Sequence, residues 1–93
     1  MTVQHDRERS RFVLPLSDGE AELTYAMFSE DVLDLRHTEI PPSGRGRGAG
    51  DALVRAALAY AREQGFHVMT TCPYVRVWMQ KHPDERPGAE VRR

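Results

Sequence analysis

The sequence predicts a single α/β (α+β) domain: an antiparallel three-strand meander, then a helix, a parallel strand and a C-terminal helix. Three observations carry that expectation. Ala21, Leu23, Tyr25 and Met27 alternate with Glu20, Glu22, Thr24 and Ala26, the period of a half-buried strand. Ala49, Ala52, Leu53, Ala56, Ala57, Tyr60 and Ala61 instead recur at spacings of three and four, the period of an amphipathic helix. Between the two periods lies Ser43-Gly44-Arg45-Gly46-Arg47-Gly48-Ala49-Gly50, a glycine-rich joint at the start of the helix.

The elements follow in chain order. Residues 1–11 are polar and charged and read as a frayed tail, leaving a domain over 12–84. Phe12, Leu14 and Leu16 share one face of a first strand, and Ser17-Asp18-Gly19 turns it into the second. Ser29-Glu30-Asp31 breaks the second strand, and Leu33, Leu35 and His37 then share one face of a third. Pro41-Pro42 ends the meander, because neither proline donates to a sheet ladder. The helix is expected from about Arg47 to Gln64, with Gly65 as its left-handed stop. Phe66 to Thr71 reads as a short strand, parallel to the third because strand–helix–strand crossovers are right-handed. Cys72-Pro73 opens a second helix, with proline tolerated in the first turn, and Val75, Trp78, Met79 and His82 lie on one face of it. Pro83 ends it, and residues 85–93 read as a disordered tail.

Composition excludes several function classes. The chain has 93 residues, enough for one domain and too few for a barrel or a full dinucleotide-binding fold. Thirteen Lys and Arg against 14 Asp and Glu leave a net charge of −1, so no global field draws the chain to nucleic acid or an anionic membrane. No apolar run is long enough for a membrane span, and the N-terminus lacks a secretory h-region. One cysteine with four scattered histidines makes neither a disulfide nor a zinc site. A cytoplasmic setting is the expectation.

The glycine-rich joint carries the chemistry. Glycines let a ligand approach the backbone, and a helix N-terminus offers unpaired N–H donors at the positive end of its dipole. Arg45 and Arg47 add mobile positive charge. Together they predict an anion site, most naturally for phosphates. A Walker loop needs Gly-Lys-Ser/Thr, and the joint has no lysine. Gly44, Gly46 and Ala49 match G-x-G-x-x-A, but arginine- and glycine-rich loops produce that match easily. An RNA-binding reading of the Arg-Gly run has one short run and an acidic chain against it.

Arg45-x-x-Gly48-x-Gly50 fits a third pattern. With the flanking His37-Thr38-Glu39-Ile40-Pro41-Pro42 and the downstream Cys72-Pro73-Tyr74-Val75 and Trp78-Met79-Gln80-Lys81-His82-Pro83, it resembles the GNAT superfamily of acyl-CoA N-acetyltransferases, in a branch of short single-domain proteins. The resemblance implies acetyl-CoA as acyl donor and an amine, small molecule or protein, as acceptor. It implies that Arg45, Gly46, Arg47, Gly48, Ala49 and Gly50 bind the pyrophosphate. It implies that Glu39, Ile40 and Pro41 pair with the pantetheine arm, where the family's strands splay after a bulge. Tyr74 would protonate the leaving thiolate, and His37 or Glu39 would act as base. Larger members carry helices between their first strands that help form the acceptor pocket. Here Leu16 to Glu20 is only a hairpin turn, so the acceptor is expected at an open site or one completed by a partner. Homodimerisation stays open.

Plainer readings stand beside these. Cys72, at a strand end and a helix start, is either a nucleophile that takes the acetyl group or a small buried hydrophobe. His37, on the face of Leu33 and Leu35, reads more readily as a satisfied core histidine than as a base. Asp51 complements the helix dipole, Tyr60 and Trp78 pack in the core, and Arg55 and Arg62 are solvated. The rival function is a non-catalytic acyl-CoA-binding or interaction module, which would keep the loop without needing Cys72, Tyr74 or a base.

Overall fold

A computed structural model describes residues 2–85. Five strands form one sheet, β1 (Gln4–Asp6), β2 (Arg11–Leu16), β3 (Gly19–Ser29), β4 (Val32–Glu39) and β5 (His67–Thr70), in the spatial order of the chain. The first four are antiparallel neighbours, and β5 runs parallel to β4. Two helices complete the fold, α1 (Ala49–Gln64) between β4 and β5 and α2 (Pro73–Lys81) after β5. The crossover is the expected one, and Gly65 caps α1 in the left-handed conformation at φ +75°.

Both helices pack on one face of the sheet. Leu53, Val54, Ala57, Leu58 and Ala61 of α1 meet Phe12, Leu14, Leu23, Leu33 and Leu35 of the strands, with Val75, Trp78 and Met79 of α2 in the same cluster. The alanines let α1 lie close to the sheet, as its spacing predicts. Truncating a leucine such as Leu53 in this core costs about 2–5 kcal/mol, because the site cannot fully collapse.

The N-terminal segment departs from expectation. Gln4, His5 and Asp6 pair with Val13, Phe12 and Arg11, so the meander has four strands and the frayed tail is a folded edge. Side chains explain why. His5 stacks on Phe12 at 4.2 Å between ring centroids and meets the Tyr60 ring edge-on at 4.5 Å. Its Nε2 lies 2.6 Å from the Tyr25 hydroxyl. Arg7 sits over the Tyr60 ring, and Arg11 binds Asp6 and Glu22. A three-residue polar strand has no periodicity of its own; its stability comes from this tertiary aromatic cluster. The expected C-terminal tail falls mostly on residues 86–93, outside the described residues; Glu85 ends a 3₁₀ turn over Pro83–Glu85.

A bulge in β4 changes which residues face the core. Thr24 pairs with His37, but Tyr25 pairs with Leu35, so Arg36 is the extra residue. An inserted residue reverses the alternation beyond it. Thr38 therefore shares the helix-covered face with its partner Leu23, while His37 and Glu39 stand on the opposite face and are exposed. The core-histidine expectation for His37 is overturned by this one residue.

Candidate active site

The segment after β4 is held in place before it binds anything. Pro42–Gly44 forms a 3₁₀ turn, and Asp18 of the β2–β3 turn accepts hydrogen bonds from both the backbone N–H and the hydroxyl of Ser43. Gly44 packs so tightly that a Cβ there would meet Leu16 Cδ1 at 2.7 Å and the Ala49 Cβ at 2.9 Å. Gly46 and Gly48 adopt φ of +70° and +87°, a region that penalises any other residue type. Gly48 is the N-cap of α1. The first α-helical bond runs from Ala52 N–H to Gly48 carbonyl, and the N–H groups of Gly46, Gly48, Ala49, Gly50 and Asp51 have no backbone acceptor among the described residues. Five donors without a backbone acceptor thus lie in and just before the first turn of α1, at the positive end of its dipole.

Beside them lies a cavity of about 460 Å³, lined by Ile40, Gly44, Arg45, Gly46, Gly48, Gly50, Asp51 and Tyr74. That size suits a cofactor-sized ligand. Of the predicted loop residues, Arg45, Gly46, Gly48 and Gly50 line it. Ala49 is buried beneath the loop, and Arg47 is exposed and does not line it. Arg45 is less mobile than expected, because its Nε donates to the Ile40 carbonyl at 2.9 Å. Its two Nη groups remain for an anion.

The strand side of the cavity is a splay. Pairing between β4 and β5 ends at Leu35 and Thr70, closed by Thr71 N–H on the Leu35 carbonyl and by the Thr70 hydroxyl on the same carbonyl at 2.6 Å. From His37 to Glu39, β4 pairs with β3 alone. Its other edge is open, and Ile40, just beyond, lines the cavity. Of the three residues expected to pair with an extended arm, Ile40 therefore lines the cavity, while Glu39 and Pro41 do not.

The opposite wall comes from α2. Tyr74, on its first turn, is 43% exposed and rests its hydroxyl against Gly50, where any Cβ would overlap it. Burial, and then the negative charge of Asp51, push the Tyr74 phenol above its usual value, so the hydroxyl keeps its proton. Asp51 is the residue sequence reasoning undervalued. One carboxylate oxygen accepts from the Trp78 indole N–H at 2.9 Å and the other from Arg55 Nε at 2.9 Å. Burial opposes its ionisation, but those two hydrogen bonds and the positive charge of Arg55 outweigh that and hold its carboxyl below the ordinary range. The 27-residue separation of Asp51 and Trp78 hides the pair from any local pattern.

The remaining predicted residues lie elsewhere. Cys72 is the N-cap of α2, only 3% exposed, and belongs to the core cluster. Its Sγ lies 3.7 Å from the Thr38 hydroxyl, and it does not line the cavity. His37 and Glu39 stand on the far face of β4. The structure thus brings Arg45, the glycines, Ile40 and Tyr74 together, and leaves Cys72, His37 and Glu39 outside that group.

A glycine-rich loop at a helix start, a splayed strand and a tyrosine across a cleft are the arrangement the resemblance led us to expect; the comparisons speak to family and fold. Residues 11–87 match the family described as GCN5-related N-acetyl-transferase. The chain belongs to that family. Protein NATD1 from Gallus gallus is 35% identical over 83 residues, which is 87% of this chain and 76% of the relative. Protein NATD1 from Homo sapiens is also 35% identical over 83 residues, 87% of this chain and 74% of the relative. The solution structure of a GCN5-like protein from Staphylococcus aureus superposes with a TM-score of 0.73 at 18% identity, covering 98% of this chain and 90% of that one. Ard1 from Thermoplasma volcanium superposes at 0.63 with 19% identity, covering 77% of this chain and 53% of that one. At such identities the structural likeness speaks to fold: this is a GNAT α/β domain.

Proposed function

We propose that this GNAT domain uses acetyl-CoA to acetylate a primary amine at the cavity between α1, α2 and the open edge of β4. The observation that carries the reading is the set of five free N–H donors beside a 460 Å³ cavity whose far wall is a protonated tyrosine. The donor set fits the ligand. Two phosphates need several convergent donors and no steric wall, and Gly46 and Gly48 have open space where a side chain would be. Acetyl-CoA supplies an activated acyl thioester.

The chain's own residues do the rest. The N–H groups of Gly46, Gly48, Ala49, Gly50 and Asp51, with the Arg45 guanidinium, hold the pyrophosphate. The open β4 edge at His37 to Ile40 orients an extended arm by backbone pairing, as an added strand does. Glu39 or His37, exposed on the outer face of the same strand end, takes the ammonium proton through water. The amine nitrogen then forms a bond to the acyl carbon as the carbon–sulfur bond breaks, Tyr74 gives its hydroxyl proton to the departing sulfur, and the proton shed by the acylated nitrogen restores the phenol. Cys72 serves as a packing residue beneath Thr38.

One observation favours the rival binding module. Against the opposing effect of burial, hydrogen bonds from Trp78 and Arg55 hold the cavity-lining carboxylate, Asp51, below the ordinary range, so it is a weak base. Calorimetry with acetyl-CoA, followed by CoA release across a panel of primary amines, separates the two. Binding with CoA release supports the transferase, binding with no release supports the module, and no binding sinks both. Gly48→Glu puts a charged side chain into the cradle and is expected to weaken acetyl-CoA binding by about 1–3 kcal/mol, as the donors lose their partner; unchanged affinity refutes the loop assignment.

A further inference from the structure

We infer that Asp51 is a positioning residue for Tyr74: by gripping the Trp78 indole, its carboxylate holds the first turn of α2 against the start of α1 and keeps the Tyr74 hydroxyl over Gly50. The inference rests on the proposed transferase reading and deepens it. Tyr74 and Trp78 are four residues apart on α2, so they share one face, one turn above the other. Asp51 is the next residue after Gly50, whose missing side chain makes room for the Tyr74 hydroxyl. The Asp51–Trp78 bond and the Gly50–Tyr74 contact therefore form two adjacent rungs between the first turn of α1 and the first two turns of α2.

The carboxylate is itself held by a second donor. Arg55 donates to its second oxygen and lies over the Trp78 ring at 5.3 Å from the centroid, and Glu85 binds the same guanidinium. His82 stacks on the far side of the indole, 4.0 Å between centroids, with its Nδ1 2.8 Å from the Trp78 carbonyl. Trp78 is 5% exposed, so its N–H would be costly to leave unpaired. Each oxygen already accepts from one of these donors, which ties Asp51 to the seam between α1 and α2 and fits a residue that acts through another. The titratable and charged groups facing the phenol are Asp51 from α1, Cys72 from the start of α2 and Arg45 across the cavity.

The test uses two variants of the full chain and two readouts. Trp78→Phe removes the indole N–H and keeps an aromatic ring. It is expected to lower kcat for acetyl transfer, measured with the best amine of the panel, by about tenfold or more, within the range that loss of a positioned acid produces. The Kd for acetyl-CoA should stay within about twofold, since the loop is untouched. Asp51→Asn keeps an acceptor for the indole and removes the charge. Its Tyr74 phenol, followed by NMR with tyrosine labelled at Cζ and assigned through Tyr74→Phe, is expected to titrate at lower pH than in the parent, because the nearby negative charge is gone. A Tyr74 titration unmoved in Trp78→Phe, where the grip on the indole N–H is gone, overturns the inference, as does unchanged kcat in that folded protein. If the parent releases no CoA with any amine, the transferase reading fails, and the titration alone then decides whether Asp51 governs the Tyr74 environment.

Discussion

Gly50 shows how a single residue reserves space for chemistry. It sits inside α1 and its φ is ordinary, so its role is space and not backbone conformation. Gly50→Ala is expected to displace Tyr74 from the cavity or destabilise the fold by about 1–3 kcal/mol, the usual range for overpacking; chemical denaturation and the Tyr74 ring shifts check it. Cys72 makes the opposite case. Its burial and its contact with Thr38 describe a packing residue, so Cys72→Ala is expected to cost about 1–2 kcal/mol in stability, within the common range for point mutants. Mass spectrometry after incubation with acetyl-CoA is then expected to find no acetyl adduct at Cys72. The loop glycines were legible in the sequence because their purpose is local. The fit of Gly50 to Tyr74 was not, because it joins residues 24 positions apart whose approach depends on how two helices pack.

At the level of elements, β1 and β4 carry the departures from expectation. The helix α1 and its glycine stop were readable because period and caps are local signals, and so was the strand β3. The bulge at Arg36 was not, since nothing in the run Val32–Glu39 marks which residue lacks a partner. Because the bulge turns His37 outward, His37→Ala is expected to leave folding stability within about 0.5 kcal/mol, as an exposed site does, where a core histidine would cost far more. The strand β1 depends on His5. Burial, and then the charge of Arg7, hold the His5 imidazole below its ordinary value of 6.5. The unfolded chain therefore takes up the proton first, and the stability His5 contributes is full above that value and lost as pH falls through the folded one. Melting temperatures are expected to rise from about pH 5 to the ordinary histidine value of 6.5 and level off above it, and His5→Phe to flatten that rise by removing the titration.

For the molecule as a whole, the one-domain, α/β reading and its helix-over-sheet core follow from patterns that repeat along the chain. What the patterns could not place were the links between distant segments: Asp18 to Ser43, His5 to Tyr25 and Asp51 to Trp78. Asp18, held below its ordinary value chiefly by Ser43, and Asp51 both give stability that is present above the unfolded carboxyl value of 3.8 and lost as pH falls further. Acid titration is expected to lower the melting temperature below about pH 4, and Asp51→Asn to weaken that loss. The strand order has a consequence of its own. Each strand lies beside the one made just before it, so a chain emerging from the ribosome can add each strand to an edge that already exists. The helix α2, which carries Tyr74, then arrives after the glycine-rich loop has taken shape. On the proposed transferase reading, synthesis delivers a binding surface first and a proton donor last.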